Sequence, residues 1–411
     1  MSATRPIVII GTGHAGVQAA AALRDEGADG PIVLVGSERH APYERPPLSK
    51  SFINGESDAD SIKLRDPAFF ERASIKLLLG ERVTTIERAA RRLQLSSGSV
   101  LPYSHLILAT GSKNRRLPFD TAVSGVHSLR TLDDAIAIRD ALTRAESVVV
   151  VGAGFIGMEF AAVAARGGRR VTVVELGARP LGRSATPTMA EFVRNSYGEM
   201  GVAFEFGARV EGIDTCEGRV AGVRTSNDSK LPADLMLVGV GALACDELAL
   251  AAGLRCPNGI EVDEAMCTTD PDISAIGDCS WHPNRFSGSM IRLESVQNAV
   301  DQARVVAKRL SGKTAAYDAV PWFWSDLGDS RLQIAGLLDK CDQLVTRGNP
   351  DDGSFSLFGF SHGSLVCVES LNRPGEHLLA KRILAGRIPV TPGMAADASI
   401  DLKQLLKPVT A

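Results

Sequence analysis

Paired cysteines, long apolar runs and a basic excess are all missing from this 411-residue chain, and each absence removes a class of function. The seven cysteines stand at 216, 245, 256, 267, 279, 341 and 367. No two form Cys-x-x-Cys, so neither a zinc site nor a dithiol redox pair is signalled and no metal is expected. They read as small buried apolar residues. No apolar run approaches the ~20 residues of a membrane span. The run from Ile7 to Ile10 is too short for a signal-peptide core and reads as a first strand, which makes the cytoplasm the expected location. With 45 Lys and Arg against 48 Asp and Glu, the net charge is −3. Nothing there neutralises phosphates in bulk, so nucleic acid is not expected as the main partner. Aromatics are only 5% of the residues, so the neighbouring Trp322 and Trp324 stand out.

What is present is an ordinary globular balance, 45% apolar and 23% charged, with 40 glycines. The length suggests two or three domains at roughly 150 residues each. A short apolar run at 6–10 is followed by Gly-rich sequence, an Ala- and Leu-rich helix over about 15–27 and a buried-type strand at 32–35, which is a βαβ unit. The same order recurs about 140 residues on: a strand at 148–151, a turn at 152–157, a helix at 158–165 and a strand at 171–174. Further strands are expected at 106–109, 235–240 and 273–276, and a long helix from about Glu294 to Leu310. The segment Arg45 to Lys50, with two prolines, breaks regular structure before another helix. From Pro321 the texture changes to alternating stretches, including 332–335 and 364–368, which suggest a smaller α+β unit. The expected class is therefore α/β, with two Rossmann-like dinucleotide-binding domains and a smaller α+β C-terminal domain.

Gly11-Thr-Gly13-His-Ala-Gly16 follows a strand and opens a helix, and Glu38 closes the second strand about 20 residues later. Gly11 allows the tight turn, Gly13 lets backbone approach a pyrophosphate and Gly16 lets helix and strand pack closely. The helix N-terminus offers N–H groups to phosphate, and Glu38 can accept from ribose hydroxyls. Gly152-Ala-Gly154-Phe-Ile-Gly157 repeats this logic, with Glu175 in the acidic position. A 2′-phosphate ~4 Å from that carboxylate would cost roughly 4 kcal/mol at an effective dielectric of 20, which favours NADH over NADPH. Arg179 and Arg183 lie just beyond and could offset part of that cost. Glu159, in the first turn of the second helix, reads either as a surface or capping residue or as a contact with the nicotinamide end or the flavin edge.

Taken together, these motifs, Tyr43-Glu44-Arg45-Pro46-Pro47-Leu48-Ser49-Lys50, Ala109-Thr110-Gly111, Leu129-Arg130-Thr131, Ala275-Ile276-Gly277-Asp278 and Val320-Pro321-Trp322-Phe323-Trp324-Ser325 give the whole chain its resemblance. It resembles the FAD-dependent, NADH-using ferredoxin reductases of bacterial oxygenase systems, members of the glutathione-reductase structural class. The resemblance implies that FAD is bound by Gly11, Gly13, His14, Ala15, Gly16, Glu38, Arg45, Lys50, Val83, Ala109, Thr110, Gly111, Arg130, Gly277, Asp278, Val296 and Trp324. Many relatives carry Trp where this chain has Val296. It implies that NAD is bound by Gly152, Gly154, Phe155, Ile156, Gly157, Glu159, Glu175, Arg183 and Gly241. Lys50, Glu159 and Trp324 are the implied catalytic set, although Trp324 also reads as plain core and Lys50 as a solvated lysine.

The implied reaction is hydride transfer from NADH to FAD, then single electrons to a [2Fe–2S] ferredoxin serving an oxygenase. The alternatives are an NADH-dependent rubredoxin or quinone reductase, and a redox-sensing NADH-binding flavoprotein. The missing Cys-x-x-Cys disfavours the glutathione-, thioredoxin- and lipoamide-type activities of the same class. Lys113, Arg115 and Arg116 could steer an acidic ferredoxin, though a solvated loop is the favoured reading. The expected domains are 1–113 with 244–320 for FAD, 114–243 for NADH and 321–411 at the C-terminus, in a monomer or homodimer.

Overall fold

Residues 5–118 and 123–406 are described in the computed structural model of the chain. They form two compact units, each built from non-contiguous stretches: Met1–Glu44, Ala59–Lys113 and Leu243–Pro321 in the first, Arg45–Asp58, Asn114–Ala242 and Trp322–Ala411 in the second. Among the described residues, no helix is long and apolar enough to cross a membrane.

The first unit is organised by a parallel sheet in the order Ile273–Ala275, His105–Leu108, Ile7–Ile10, Ile32–Gly36, Ile75–Leu79. Apart from the buried His105 that opens one of them, its central strands are apolar along their length, as strands covered on both faces are. Val8, Ile9, Leu34 and Leu106 to Leu108 have no exposed surface. The helices His14–Asp25 and Val296–Leu310 pack together through small residues, Ala19 and Ala303 among them, which are wholly buried. A three-stranded antiparallel sheet, Val83–Glu87, Arg92–Leu95 and Val100–Pro102, carries Val83 inward.

The second unit repeats the parallel arrangement in the order Ala203–Phe206, Arg170–Glu175, Ser147–Val151, Leu235–Val238, Val126–His127. It also contains a five-stranded antiparallel sheet, Trp322–Leu327, Ser330–Gly336, Ser364–Leu371, Phe355–Ser361 and Gln343–Arg347, with the helix Pro374–Gly386 packed on it. The α/β class and the smaller α+β region are thus as the residue pattern implied.

Three local expectations are corrected. The Arg45 to Lys50 segment does not lead into a helix: Pro46–Ser49 is a single 3-10 turn, and the next helix is Pro67–Arg72. The strand expected to reach Val240 ends at Val238, before Gly239. The long helix begins at Val296 instead of Glu294, because Ser295 in extended conformation caps it by accepting from the Asn298 N–H at 3.1 Å.

Candidate functional site: two glycine turns and a buried carboxylate

Strands Ile7–Ile10, His105–Leu108 and Ile273–Ala275 are adjacent and parallel, so their carboxyl ends lie along one edge of the first unit's sheet. Open α/β sheets bind ligands at such an edge. It carries Gly11, then Ala109-Thr110-Gly111, then Gly277-Asp278. Gly11 has φ +117°, and a Cβ there would lie 2.1 Å from the Ala109 carbonyl oxygen. A Cβ on Gly16 would lie 1.9 Å from the Gly11 carbonyl oxygen. No side chain fits either position, and Gly13 and His14 follow as the cap and first residue of a helix that no side chain caps. That leaves a bare helix start of the kind that receives phosphate.

Several other expected FAD residues lie in the same unit. Ala15 is buried, and a Cβ on Gly277 would come 3.0 Å from the Ala15 Cβ, so the two turns approach closely. Glu38 lies two residues beyond the second strand and accepts from the Tyr43 hydroxyl. Thr110 Oγ1 donates to the Cys245 carbonyl at 2.6 Å. Asp278 sits in the 3-10 turn Gly277–Cys279 and accepts from Ser112 Oγ at 2.9 Å. Gln302, fully buried and absent from the sequence-based set, accepts from the Gly277 N–H at 2.7 Å and from Ser280 Oγ at 3.0 Å. It holds this turn in place. Val83 is a buried strand residue paired with Leu95, and Val296 is the first residue of its helix. Cys279 belongs to the same turn, but burial pushes its thiol up, which keeps it out of thiolate redox chemistry.

The second unit holds the second turn. Gly152 has φ +98°, and a Cβ there would lie 2.4 Å from the Gly239 carbonyl oxygen. A Cβ on Gly157 would lie 2.2 Å from the Gly152 carbonyl oxygen, whereas Gly154 faces open space. Two closed glycines and one open one are what close helix packing plus pyrophosphate approach require. Phe155 and Ile156 start an uncapped helix; Ile156 is 44% exposed, and the Phe155 ring meets Phe323 edge-on at 4.8 Å. Glu175 is engaged by the protein's own backbone. Its Oε2 accepts from the Ala153 N–H and its Oε1 from the Gly177 N–H, both at 2.7 Å, so the carboxylate braces the glycine turn itself. Arg183 is exposed, with its guanidinium 3.7 Å from where a Cβ on Gly241 would stand. Arg179 instead donates to the carbonyls of Gly182 and Ala185, at 3.0 and 3.3 Å, and is committed to its own loop.

Glu159 is neither a surface residue nor a helix cap: it is 3% exposed and points into a polar knot. Lys50 Nζ lies 2.8 Å from its Oε1. Ser325 Oγ donates to the same oxygen at 2.6 Å, and Ser49 Oγ donates to Oε2. Neither Ser49 nor Ser325 was among the expected site residues, although Ser49 lies in the Arg45 to Lys50 segment and Ser325 directly follows Trp324. Lys50, half-buried and ion-paired, is not a solvated lysine. Arg45 donates to the Arg130 carbonyl, and the Arg130 N–H donates to Asp134 at 3.0 Å, which ties those two expected residues together. Trp324 is half-buried, its ring 5.6 Å from that of Trp322. Lys113 pairs with Glu247.

Residues 5–303 match the pyridine nucleotide-disulphide oxidoreductase family, and residues 322–406 match the reductase C-terminal family. Rhodocoxin reductase of Rhodococcus erythropolis is 45% identical over 97% of this chain and 93% of its own length. The crystal structure of the ferredoxin reductase for the CYP199A2 system from Rhodopseudomonas palustris is 44% identical, with a TM-score of 0.95 over 98% of this chain and 99% of that one. The reductase in the covalent putidaredoxin reductase–putidaredoxin complex is 38% identical, again with a TM-score of 0.95 over 98% and 99%. With both glycine turns formed and the match running nearly end to end, the chain belongs to the pyridine nucleotide-disulphide oxidoreductase family.

Proposed function

We propose that this enzyme is an NADH-dependent, FAD-containing ferredoxin reductase that passes electrons to a [2Fe–2S] ferredoxin serving an oxygenase. The observation that carries the reading is the end-to-end likeness to redoxin reductases, 45% identity over 97% of the chain. When bound, FAD supplies the conversion of a hydride into single electrons, and the protein supplies orientation and electrostatics.

The turn Gly11 to Gly16, with Ala15 and His14, holds the FAD pyrophosphate; Glu38 takes the adenosine ribose, and Gly277-Asp278 and Ala109 to Gly111 line the rest of that edge. Arg45, Arg130, Val83 and Val296 are carried over to FAD from the resemblance. Gly152 to Gly157 and Glu175 hold NADH, with Ile156 and Phe155 at the start of the helix and Arg183 and Gly241 opposite. Glu159 holds Lys50, and Lys50 provides a fixed positive charge for the hydride-transfer step. Trp324 serves electron exit. The division into an FAD domain, an NADH domain and a C-terminal domain, at the boundaries given above, and a cytoplasmic location complete the reading.

Stopped-flow mixing tests it. NADH, and not NADPH, is expected to bleach the purified yellow protein rapidly, and the reduced protein is then expected to reduce a [2Fe–2S] ferredoxin fast. Electrons that pass only to quinone, rubredoxin or oxygen would refute the ferredoxin assignment while leaving the cofactors standing.

A further inference from the structure

A carboxylate as deeply buried as Glu159 is costly unless hydrogen-bond donors replace its lost hydration. An ionised carboxylate accepts at about four lone-pair sites on its two oxygens. Here Oε1 takes Lys50 Nζ and Ser325 Oγ, and Oε2 takes Ser49 Oγ. Ser325 is 1% exposed and Ser49 is fully buried, so water does not compete for these contacts.

The two hydroxyls do something the lysine does not. The last torsion of a glutamate is broad and nearly two-fold, so an ion pair alone lets the carboxylate swing and exchange its oxygens. One hydroxyl on each oxygen fixes the carboxylate plane. Oε1 then presents its other lone pair in a single direction, and the ammonium of Lys50 follows. Among the described residues, Lys50 has one further acceptor, the Pro46 carbonyl at 3.5 Å, which is too long to hold it. Ser325 comes from the strand Trp322–Leu327, whose side chains alternate between faces. Its inward hydroxyl therefore follows directly on Trp324, and the C-terminal sheet reaches the carboxylate of the NAD-motif helix.

We propose that Ser325 is a positioning residue for the reductive step: by fixing Oε1 of Glu159 it holds the Lys50 ammonium in one place while NADH delivers its hydride. This rests on the role given above to Lys50 and Glu159. The test uses the full-length, FAD-loaded protein as wild type, Ser325→Ala, Ser325→Thr, Glu159→Gln and the Ser325→Ala/Glu159→Gln double variant. The readout is the limiting rate of reduction by saturating NADH and the apparent Kd for NADH. Loss of one hydrogen bond to a charged group is expected to slow Ser325→Ala about tenfold, with the Kd moved less than about twofold. Ser325→Thr keeps the hydroxyl and restores most of the rate. Because Ser325 acts through Glu159, Ser325→Ala is expected to add almost nothing to Glu159→Gln. A wild-type rate in Ser325→Ala, a loss that multiplies fully with that of Glu159→Gln, or a change confined to the Kd would overturn the inference alone. A wild-type protein that NADH does not reduce, or a Glu159→Gln variant as fast as wild type, would overturn the proposed function of the site and this inference with it.

Discussion

Replacing Glu175 by Gln separates the two duties of that carboxylate. The first is electrostatic. A unit charge ~4 Å from a 2′-phosphate at an effective dielectric of 20 costs about 4 kcal/mol, or roughly a thousandfold in favour of NADH. The second is structural, since both oxygens accept backbone N–H groups, Ala153 in the glycine turn and Gly177 beyond the strand. Glutamine removes the charge. Its amide oxygen can keep one of those bonds, but its NH2 faces the other N–H donor, so one charge-assisted bond worth about 1.5–3 kcal/mol is lost from the turn. The variant is therefore expected to lose about tenfold with NADH while gaining up to about a hundredfold with NADPH, so that the preference collapses to within about tenfold. Arg183, exposed beside Gly241, is the one cation of the pair that is free of its own loop's carbonyls, and Arg183→Ala in this background is expected to remove part of the NADPH gain. The assay is stopped-flow flavin reduction by each nucleotide, repeated at ~1 M salt, where a Debye length of ~3 Å should narrow the wild-type preference. A wild-type preference below tenfold, or a ratio that Glu175→Gln leaves unchanged, would refute the electrostatic reasoning.

Gly11→Ala is expected to yield folded but flavin-poor protein, or none at all. The new Cβ would meet the Ala109 carbonyl at 2.1 Å in a backbone at φ +117°, a conformation that by itself costs an L-residue at least about 1–2 kcal/mol; flavin content and thermal unfolding measure this. Glu369 gives a pH signature. It is fully buried in the C-terminal sheet, accepts from the Thr186 N–H and hydroxyl at 2.9 and 2.5 Å, and burial raises it to about 7 against the pull of Thr186 and Arg179. A carboxyl raised on folding contributes stability that is full below its unfolded value near 4.5 and is lost as pH rises through about 7, a change on the order of 3 kcal/mol. Glu369→Gln should therefore flatten the fall in denaturant midpoint over that window, and equal slopes in the two proteins would count against it.

What could be read along the chain was what the backbone itself demands. Gly11, Gly16, Gly152 and Gly157 are needed because a carbonyl oxygen stands where a Cβ would go, and that need is local in sequence and visible as spacing. The parallel sheets followed from unbroken apolar runs such as Val148 to Val151, which only a two-sided burial explains. The helix start at Val296 was missed by two residues because Glu294 is as good a helix former as its neighbours, and the deciding hydrogen bond belongs to the side chain of Ser295.

The polar knot was out of reach for a different reason. Ser49 and Ser325 lie 110 and 166 residues from Glu159, and a serine in a turn or strand reads the same whether it faces water or a carboxylate. Its meaning comes from burial, which periodicity does not report for a single polar residue. The same holds for Glu175: its place at the end of a strand is a sequence signal, yet its grip on Ala153 and Gly177 emerges only once the turn has folded. Both acidic residues thus combine the ligand-facing duty proposed for them, which a motif can suggest, with a backbone or side-chain anchoring duty that it cannot. Removing either one changes the shape of the site as well as its charge, so charge-only arguments will overpredict the simplicity of such variants.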